Sequence, residues 1–296
     1  MVRVKVPATS ANLGAGFDCM GLAFELFNVF EFEEIKEGLE FEGVKEEYCN
    51  KDNIIYEAMM LCFNRADYKP TGLKISILEE NIPISRGLGS SSSCIVGGLL
   101  GANELMGSPF NLEELFNMSV EIEGHPDNVA PAFFGGIVVS SMEDGKAYYN
   151  KVDIKEGIEF LSFIPSFTLS TEKARKALPD TIPFKDGVYN VGKAALTLSC
   201  FYLGNYDMLR YACKDKLHEP YRSKLIPNFE EITKEVLDLG ALCVFLSGAG
   251  PTIMSIVKKE DNTAKDKIKA HMTKFEKEWS VVTLKENNIG AEIIKG

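Results

Sequence analysis

The chain has 296 residues and a formal charge of −11, from 32 basic and 43 acidic side chains. Hydrophobic residues make up 45% and charged residues 25%, values near the globular average that exclude disordered and fibrous classes. The acidic balance argues against a nucleic-acid partner, because such proteins neutralise phosphates with Lys and Arg.

Other global features bound the class of protein further. No apolar run approaches the ~18 residues that span a bilayer, and the opening segment lacks an apolar core. We therefore expect no membrane partner, no signal peptide and a cytoplasmic location. Seven cysteines without a C-x-x-C pair favour reduced thiols over a disulfide framework. With three histidines and no H-E-x-x-H motif, zinc is not expected, and any metal should be a hard ion bound by oxygen.

The predicted elements begin with a strand over residues 1–6, where valines alternate with basic residues. Residues 28–48 mix acidic and apolar side chains and are typical of strands with a solvated face. The pair Asp52 and Asn53 can start a helix. Alternation over residues 72–79 predicts another strand, which leads into a loop rich in glycine and serine.

A buried helix is predicted after that loop, because residues 94–106 are apolar on nearly every side. Gly107 is placed to follow the C-cap of this helix. Asn111 and Glu114 form a capping-box pattern at the start of the next helix.

The polar stretch at residues 144–149 is where we place a boundary between two domains, over 1–150 and 151–296. Two domains are expected because a single core stops growing at about 250–300 residues. Strand-like residues of the second domain lie at 158–165 and 241–247. Its helical patterns lie at residues 171–178, 191–203 and 264–278. Strands and helices occur in both halves without strict alternation, so the predicted fold class is α+β.

The strongest chemical signal is a run of glycines and hydroxyls before the buried helix. It consists of Pro83, Ile84, Ser85, Arg86, Gly87, Leu88, Gly89, Ser90, Ser91, Ser92 and Ser93. Glycines let the backbone approach a ligand, and the helix start presents unpaired N–H groups to an anion. The hydroxyls add donors for phosphate oxygens, and Arg86 adds a positive charge. An ordinary loop that feeds a core helix is the alternative for this segment alone.

Two further glycine-rich segments lie near the ends of the chain, at residues 7–18 and 246–252. The first packs hydroxyls, an amide and a carboxylate into one turn, and Asn12 and Asp18 can recognise a small polar molecule. Each segment taken alone also fits an ordinary connection between elements. Residues 187–194 match G-x-x-x-x-G-K, but an alanine stands where a phosphate loop needs Ser or Thr. A helix start is the better interpretation of that segment.

The three glycine-rich segments, in this order, resemble the GHMP kinase superfamily with its P-A-x-x-x-N-L-G-x-G-x-D, G-L-G-S-S and S-G-x-G-P motifs. The resemblance implies a two-domain fold. Its N-terminal domain is ribosomal-protein-S5-domain-2-like, and its C-terminal domain is a ferredoxin-like α/β sandwich. It also implies phosphoryl transfer from ATP to a small alcohol with Mg²⁺. The chain departs from many relatives at Arg86, Ser92 and Ser93, which leaves the role of Arg86 open.

Within the superfamily, residues 123–131, 171–175 and 219–227 resemble the branch that phosphorylates the side-chain hydroxyl of L-homoserine for threonine biosynthesis. Mevalonate or another small alcohol is the alternative acceptor. A nucleotide sensor or RNA-associated protein that keeps the fold without catalysis is a third hypothesis. The superfamily often forms dimers, so a homodimer is expected by analogy.

The resemblance also implies roles for single residues. The loop at 83–93 wraps the triphosphate, and Glu123 with Ser90 or Ser91 holds Mg²⁺. Asp18, Glu123 and Ser90 are the candidate catalytic residues; Asp18 orients the acceptor hydroxyl, and no general base is assigned. Arg175 and Arg222 are candidates for the α-carboxylate of the acceptor. The complete candidate set for the acceptor is Asn12, Asp18, His125, Asp127, Asn128, Thr171, Arg175, Arg222 and Gly248.

Overall fold

The computed structural model describes residues 1–275 and 277–294. Its strands are β1 (Val2–Asn12), β2 (Gly16–Glu34), β3 (Gly38–Glu42), β4 (Gly72–Glu80), β5 (Ile137–Glu143), β6 (Lys146–Val152), β7 (Ile158–Pro165), β8 (Cys243–Leu246), β9 (Ile253–Lys258), β10 (Trp279–Leu284) and β11 (Glu292–Ile294).

The helices contribute a similar share of the fold. They are α1 (Ile54–Arg65), α2 (Ser90–Leu105), α3 (Leu112–Glu123), α4 (Pro126–Phe134), α5 (Thr171–Lys176), α6 (Phe184–Leu203), α7 (Leu209–Ala212), α8 (Glu219–Arg222), α9 (Phe229–Asp238) and α10 (Asn262–Met272). Short 3₁₀ turns lie at Glu46–Tyr48, Tyr206–Met208, Ser223–Leu225 and Thr273–Phe275. Within the described ranges, no helix combines the length and the hydrophobicity that crossing a bilayer requires.

The first sheet has seven strands, in the order β11-β1-β2-β4-β3, with β5 and β6 branching from β2. Helices α2 to α4 pack against it, and α1 packs on α2, around a core that includes Phe30 and Phe32. Helix α2 crosses these two rings at Gly97 and Gly101, where an added Cβ would collide with them. The glycines therefore let the buried helix lie close to the sheet, and the prediction of a buried helix at this position is confirmed.

The second sheet has the strand order β10-β7-β9-β8, with every pair antiparallel. Along the chain, helices separate β7 from β8, and α10 separates β9 from β10. This β-α-β-β-α-β arrangement is the ferredoxin-like topology. It confirms the α+β expectation for the second half. A core that includes Phe24, Phe160 and Phe245 joins the two sheets.

The last described strand returns to the first sheet, where β11 pairs with β1 and Ile294 lies opposite Arg3. The first sheet also takes in β6, which ends at Val152. The boundary expected near residue 150 stays a prediction, and residues from both ends of the chain contribute to one sheet.

Several local predictions are confirmed, and each of them rests on a short-range signal. Asn53 caps α1 and accepts hydrogen bonds from the next turn. Asn111 and Glu114 form the capping box of α3, and Gly107, with a φ of 82°, follows the C-cap of α2.

Three other local predictions are wrong. Strand β1 does not end at residue 6 but runs to Asn12, because residues 7–12 pair with β2, so the first glycine-rich segment is a hairpin rather than one turn. Helix α6 starts at Phe184, so residues 187–194 lie inside a helix rather than at its start. Helix α10 ends at Met272, short of the predicted residue 278; residue 276 lies outside the described residues.

Candidate active site

The three glycine-rich segments meet at one place in the fold. The Ser247 hydroxyl lies 2.5 Å from the Gly87 carbonyl oxygen and 2.8 Å from the Ser10 hydroxyl. Because Ser247 has a single hydroxyl proton, it donates to the carbonyl and accepts from Ser10. The Thr9 amide also donates to the Leu88 carbonyl at 3.1 Å. Segments far apart in sequence are thus bonded directly to one another.

Glycine is required where these segments touch. Gly87 has a φ of 75°, and a Cβ there would collide with the Ser247 carbonyl oxygen. Gly89 has a φ of 73°, and a Cβ there would meet the Thr9 hydroxyl. A left-handed backbone together with a close contact leaves no room for another residue. The motif glycines therefore serve loop-to-loop contact as well as approach to a ligand.

A cleft of about 380 Å³ opens where the segments converge. Its polar end contains the first turn of α2, whose N-terminal amides lack helical partners and attract an anion. The other end is apolar and was not foreseen from the sequence. Its apolar lining residues include Val44, Tyr48, Ile54, Ile55, Ile77 and Ile84.

Glu123 lies at the C-terminal end of α3, opposite the start of α2. Its carboxylate accepts hydrogen bonds from the hydroxyls of Ser91 and Ser92, both at 3.4 Å. Burial raises the pKa of Glu123; the charge of nearby His125 and these two hydroxyls oppose the rise, and the charge of Asp127 adds to it. The group is thus a half-buried acid beside two hydroxyls. Ser92 was predicted to bind phosphate but was not placed with Glu123 in the predicted metal set.

Not every residue of the predicted phosphate loop lines the cleft. Helix α2 begins at Ser90, so the four serines form its first turn rather than a loop. Leu88 is buried, and the Ser93 hydroxyl is turned inward, donating to the Ser90 carbonyl and accepting from Asn28. Ile84, Ser85, Arg86, Gly87, Gly89, Ser90, Ser91 and Ser92 line the cleft, whereas Pro83, Leu88 and Ser93 are absent from its lining.

Arg86 lines the cleft, but its guanidinium binds backbone. It donates to the carbonyls of Ile84, Pro165 and Ser166 at 2.8, 2.8 and 2.6 Å. Two of those carbonyls belong to the end of β7 and the residue after it, in the second sheet. Arg86 therefore ties the loop to the second half of the chain, a role that its charge alone did not reveal.

The end of the cleft that is predicted to take the acceptor is organised around Asp18. Both of its carboxylate oxygens accept hydrogen bonds from Arg175, at 2.8 and 3.1 Å. The Asn12 side chain accepts from the Asp18 amide at 3.1 Å and donates to the Gly248 carbonyl at 2.8 Å. Asn12 of the first glycine-rich segment and Gly248 of the third thus help to fix the position of the Asp18 carboxylate.

Arg222 is buried and donates to the carbonyls of Gly248 and Ala174 at 3.2 and 3.4 Å. Burial, together with the like charge of Arg175, lowers its pKa. Its guanidinium carbon lies 5.0 Å from the ring centre of Phe17, which stacks on His218 at 5.1 Å. Phe17 adjoins a predicted residue and His218 adjoins the 219–227 motif, but the sequence did not assign a role to either.

His218 is fully buried, and burial lowers its pKa, so the imidazole is neutral. Its Nε2 lies 3.0 Å from the Gly14 carbonyl oxygen, which can only accept, so Nε2 carries the proton. The ring therefore fastens α8 to the glycine-rich hairpin and supports Phe17 beneath Arg222.

The remaining predicted residues complete the same end of the cleft. His125 and the buried Asp127 share a hydrogen bond of 2.8 Å, and Asn128 accepts one from the Thr9 hydroxyl at 3.0 Å. Burial lowers the pKa of His125, but the bond to Asp127 and its charge outweigh that effect and raise it. Thr171, at the start of α5, also lines the cleft. The structure thus brings the nine candidate acceptor residues together.

Comparisons with known proteins agree with this geometry. Residues 53–136 match the family model for the GHMP kinases N terminal domain, and residues 198–274 match that for GHMP kinases C terminal. A homoserine kinase of Clostridium beijerinckii is 57% identical over 296 residues, covering 100% of this chain and 99% of the relative.

Solved structures show the same fold. The crystal structure of a homoserine kinase from Cytophaga hutchinsonii superposes with a TM-score of 0.87 at 26% identity, covering 99% of this chain and 97% of that one. The mevalonate kinase of Methanococcus jannaschii has a TM-score of 0.73 at 16% identity, covering 97% and 98%. That second likeness concerns the fold alone.

Proposed function

The chain belongs to the homoserine kinases of the GHMP kinase family, and we propose that the cleft described above is where they act on ATP and L-homoserine. The reaction phosphorylates the side-chain hydroxyl to give O-phospho-L-homoserine, for threonine biosynthesis. One observation carries the site assignment: the Arg175–Asp18 pair lies in the same cleft as the start of α2 and Glu123.

The apolar end of the cleft and the start of α2 suit the base and the phosphates of ATP. The apolar end takes the adenine base between Ile54 and Ile77, since a flat aromatic ring is best held by aliphatic contacts. The amides at the start of α2 and the loop from Ile84 to Gly89 then bind the phosphates. Arg86 supports the loop from behind through its three carbonyl bonds.

Mg²⁺ fits the donor set around Glu123, since the ion prefers carboxylate and hydroxyl oxygens and keeps several waters. A half-buried carboxylate with a raised pKa is also a group that a cation would stabilise in its charged form. Glu123 with Ser91 would hold the ion, and Ser92 or Ser90 is placed beside them. When bound, the ion neutralises developing charge on the phosphoryl oxygens.

The acceptor end suits the zwitterion of homoserine. Arg222, with the donors that Arg175 keeps free of Asp18, pairs with the α-carboxylate, and the carboxylate of Asp127 accepts from the ammonium group. Asp18 accepts a hydrogen bond from the homoserine hydroxyl and so directs the oxygen of that hydroxyl toward the start of α2. Phosphoryl transfer depends mainly on such positioning and on charge neutralisation, so no general base is assigned.

The acceptor is tested by a coupled assay of ADP release with homoserine, with mevalonate and without acceptor. We expect homoserine to support turnover far above the other two conditions. The mevalonate alternative has only a shared fold in its favour, whereas the homoserine kinases match in sequence over the whole chain. ATP binding without turnover for any acceptor would instead support the non-catalytic hypothesis.

Two further proposals concern the setting of the enzyme. Seven free cysteines, four of them buried, suit the reducing cytoplasm. A homodimer is proposed as the assembly, by analogy with the superfamily.

A further inference from the structure

The turn between β1 and β2, residues 13–15, is held by side chains from the second half of the chain. Each of its carbonyl oxygens accepts a hydrogen bond: Leu13 from Cys213 at 3.4 Å, Gly14 from His218 at 3.0 Å and Ala15 from Asn190 at 3.3 Å. Gly14 has a φ of 77°, and a Cβ there would lie 2.9 Å from the Cys213 sulfur, so this contact requires glycine. The start of β2, which follows directly, is thus fixed by contacts outside its own sheet.

Asn190 lies on α6, and its buried side chain uses all of its polar groups. The amide nitrogen has two protons, of which one goes to the Ala15 carbonyl and the other to the Asp215 carboxylate, at 3.3 and 2.8 Å. The amide oxygen accepts from the Lys216 backbone amide at 2.9 Å. Because a carbonyl can only accept and a backbone amide can only donate, these partners fix which way the side-chain amide points. One side chain therefore joins the hairpin turn to the segment before α8.

Asp215 precedes α8, and its side chain is fully buried. Besides the bond from Asn190, its carboxylate accepts from the backbone amides of His218 and Glu219, at 2.7 and 2.8 Å. These are amides that a helix leaves unpaired at its start, so Asp215 fixes the first turn of α8. Arg222 lies in that turn, and its amide donates to the His218 carbonyl at 3.0 Å. The position of the Arg222 backbone thus depends on Asp215.

The Asn190–Asp215 pair therefore links the two groups that are proposed to contact opposite ends of the acceptor. Asp18, on β2 just after the hairpin turn, is assigned to the hydroxyl. Arg222, on α8, is assigned to the α-carboxylate. Neither Asn190 nor Asp215 is among the described residues that line the cleft. Buried hydrogen bonds outside the cleft thus set how far Asp18 lies from Arg222.

The separation of these two groups matters because it matches one length of acceptor. A homologue of homoserine with one more methylene carries its hydroxyl farther from the α-carboxylate. The extra methylene displaces the hydroxyl by about 1 Å, and a misplacement of that size at a reacting atom costs roughly 100-fold in rate. A site that holds both ends rigidly can therefore select homoserine over the longer compound.

We propose that Asn190 and Asp215 are positioning residues that fix the separation of Asp18 and Arg222 and so make the kinase selective for the length of its acceptor. The inference rests on the proposed function and deepens it by assigning specificity to residues outside the cleft. They act through the hairpin turn and α8, without touching the acceptor.

The test compares kcat/KM for L-homoserine with kcat/KM for L-2-amino-5-hydroxypentanoate, the homologue with one more methylene. We expect the ratio of the two values to fall at least ~10-fold in Asn190→Ala, because the hairpin turn and α8 can then shift relative to each other. The KM for ATP should stay unchanged, since the start of α2 is not involved. A substitution that only destabilises the fold would lower kcat for both acceptors alike and leave their ratio as it was.

Asn103→Ala is the matched control. Asn103 is 5% exposed, against 3% for Asn190, and its side chain also bonds the backbone of another segment, at the amide and carbonyl of Phe110, both at 3.0 Å. It lies near the far end of α2 from the cleft. The control should lose stability, measured by thermal unfolding, and keep the wild-type ratio.

Asp215→Asn is an isosteric second variant, which answers the question even if Asn190→Ala does not fold. The new amide group would face that of Asn190, so the bond between the two side chains is lost while an oxygen still accepts from the start of α8. The ratio should fall here too. Adding Asn190→Asp should restore part of it, because the new carboxylate can accept from the new amide.

The outcomes separate this inference from the function on which it rests. A wild type that phosphorylates neither acceptor would overturn the proposed function, and the positioning role with it. The positioning role alone fails if the wild type is active but equally fast with both acceptors, or if the ratio is unchanged in Asn190→Ala or Asp215→Asn. It also fails if Asn103→Ala lowers the ratio to the same extent.

Discussion

The guanidinium of Arg175 binds both carboxylate oxygens of Asp18, although 157 positions separate the two residues in the chain. A bidentate pair of this kind is roughly twice as strong as neutral hydrogen bonds and fixes the planes of both groups. The end of the cleft proposed for the acceptor is thus organised without a bound ligand, and each partner depends on the other for its position.

Replacing Arg175 by alanine should raise the KM for homoserine roughly 10- to 100-fold, the effect of losing about 1.5–3 kcal/mol of charged hydrogen bonding. The KM for ATP should change little, because the apolar end and the start of α2 are untouched. Arg175→Lys, which keeps the charge without the fork, should recover only part of the loss. Steady-state kinetics with both substrates varied make the measurement, and an unchanged KM for homoserine would remove Arg175 from the site.

Glu123→Gln should lower kcat by about a hundredfold or more, since it removes the carboxylate that neutralises charge near the phosphates. The melting temperature should not fall, because a neutral amide does not carry the free-energy cost of burying a charge, the cost that raises the pKa of Glu123. Glu121→Gln on the same helix is the control, since Glu121 is exposed and pairs with Arg65. Equal kcat values in both variants would contradict the role of Glu123.

Gly87→Ala should impair both substrates together, because the added methyl group would separate the loop from the Ser247 carbonyl. Gly107→Ala is a matched control: Gly107 also has a positive φ, of 82°, but its Cβ would meet nothing within 4 Å. Each variant pays about 1 kcal/mol or more for the left-handed backbone. Only Gly87→Ala should raise both KM values. A similar rise for Gly107→Ala would show that backbone strain, and not the contact with Ser247, causes the effect.

Glu219 on α8 gives a pH-dependent prediction. Burial raises its pKa from 4.5 to about 8; its hydrogen bond from the Leu246 amide opposes the rise, and the charge of Asp215 adds to it. Between about pH 4.5 and about pH 8, Glu219 therefore holds a proton in the folded chain that it has lost in the unfolded chain. The stability that this provides is complete below the ordinary pKa and is lost as pH rises through about 8.

Glu219→Gln cannot lose that proton, so its melting temperature should exceed that of the wild type by a margin that grows from about pH 5 to about pH 8 and then levels off. Thermal unfolding followed by circular dichroism makes the comparison. Glu230→Gln, at an exposed position on α9, should track the wild type throughout. A margin that stays constant with pH would show that Glu219 is already charged at neutral pH.

What the sequence predicted correctly rests mostly on short-range signals. The capping box at Asn111 and Glu114 involves residues three apart, so it can be seen without the fold. The full length of the hairpin from β1 to β2 was not predicted, because its strands extend only through pairing with each other. The start of α6 was predicted seven residues too late, because Phe184 and Val188 are exposed apolar side chains and do not mark a buried helix face.

The candidate site divides in the same way. Motif residues such as Gly87 and Glu123 were identified because they stand at fixed positions within recognisable segments. The apolar end of the cleft was missed, because Val44 and Tyr48 lie in a stretch that looked like solvated strand. The carbonyl partners of Arg86 and the stack of Phe17 on His218 join residues from distant parts of the chain, which no local pattern encodes.

The pairing of β11 with β1 has a consequence for how the protein is made. During translation the outer edge of β1 emerges early, yet the strand that covers it comes nearly 290 residues later. Until then the nascent chain exposes an unpaired strand edge, the kind of surface that recruits other strands. The amino-terminal half therefore completes its sheet only after β11 has been made, and fragments that stop short of residue 292 should be prone to aggregate.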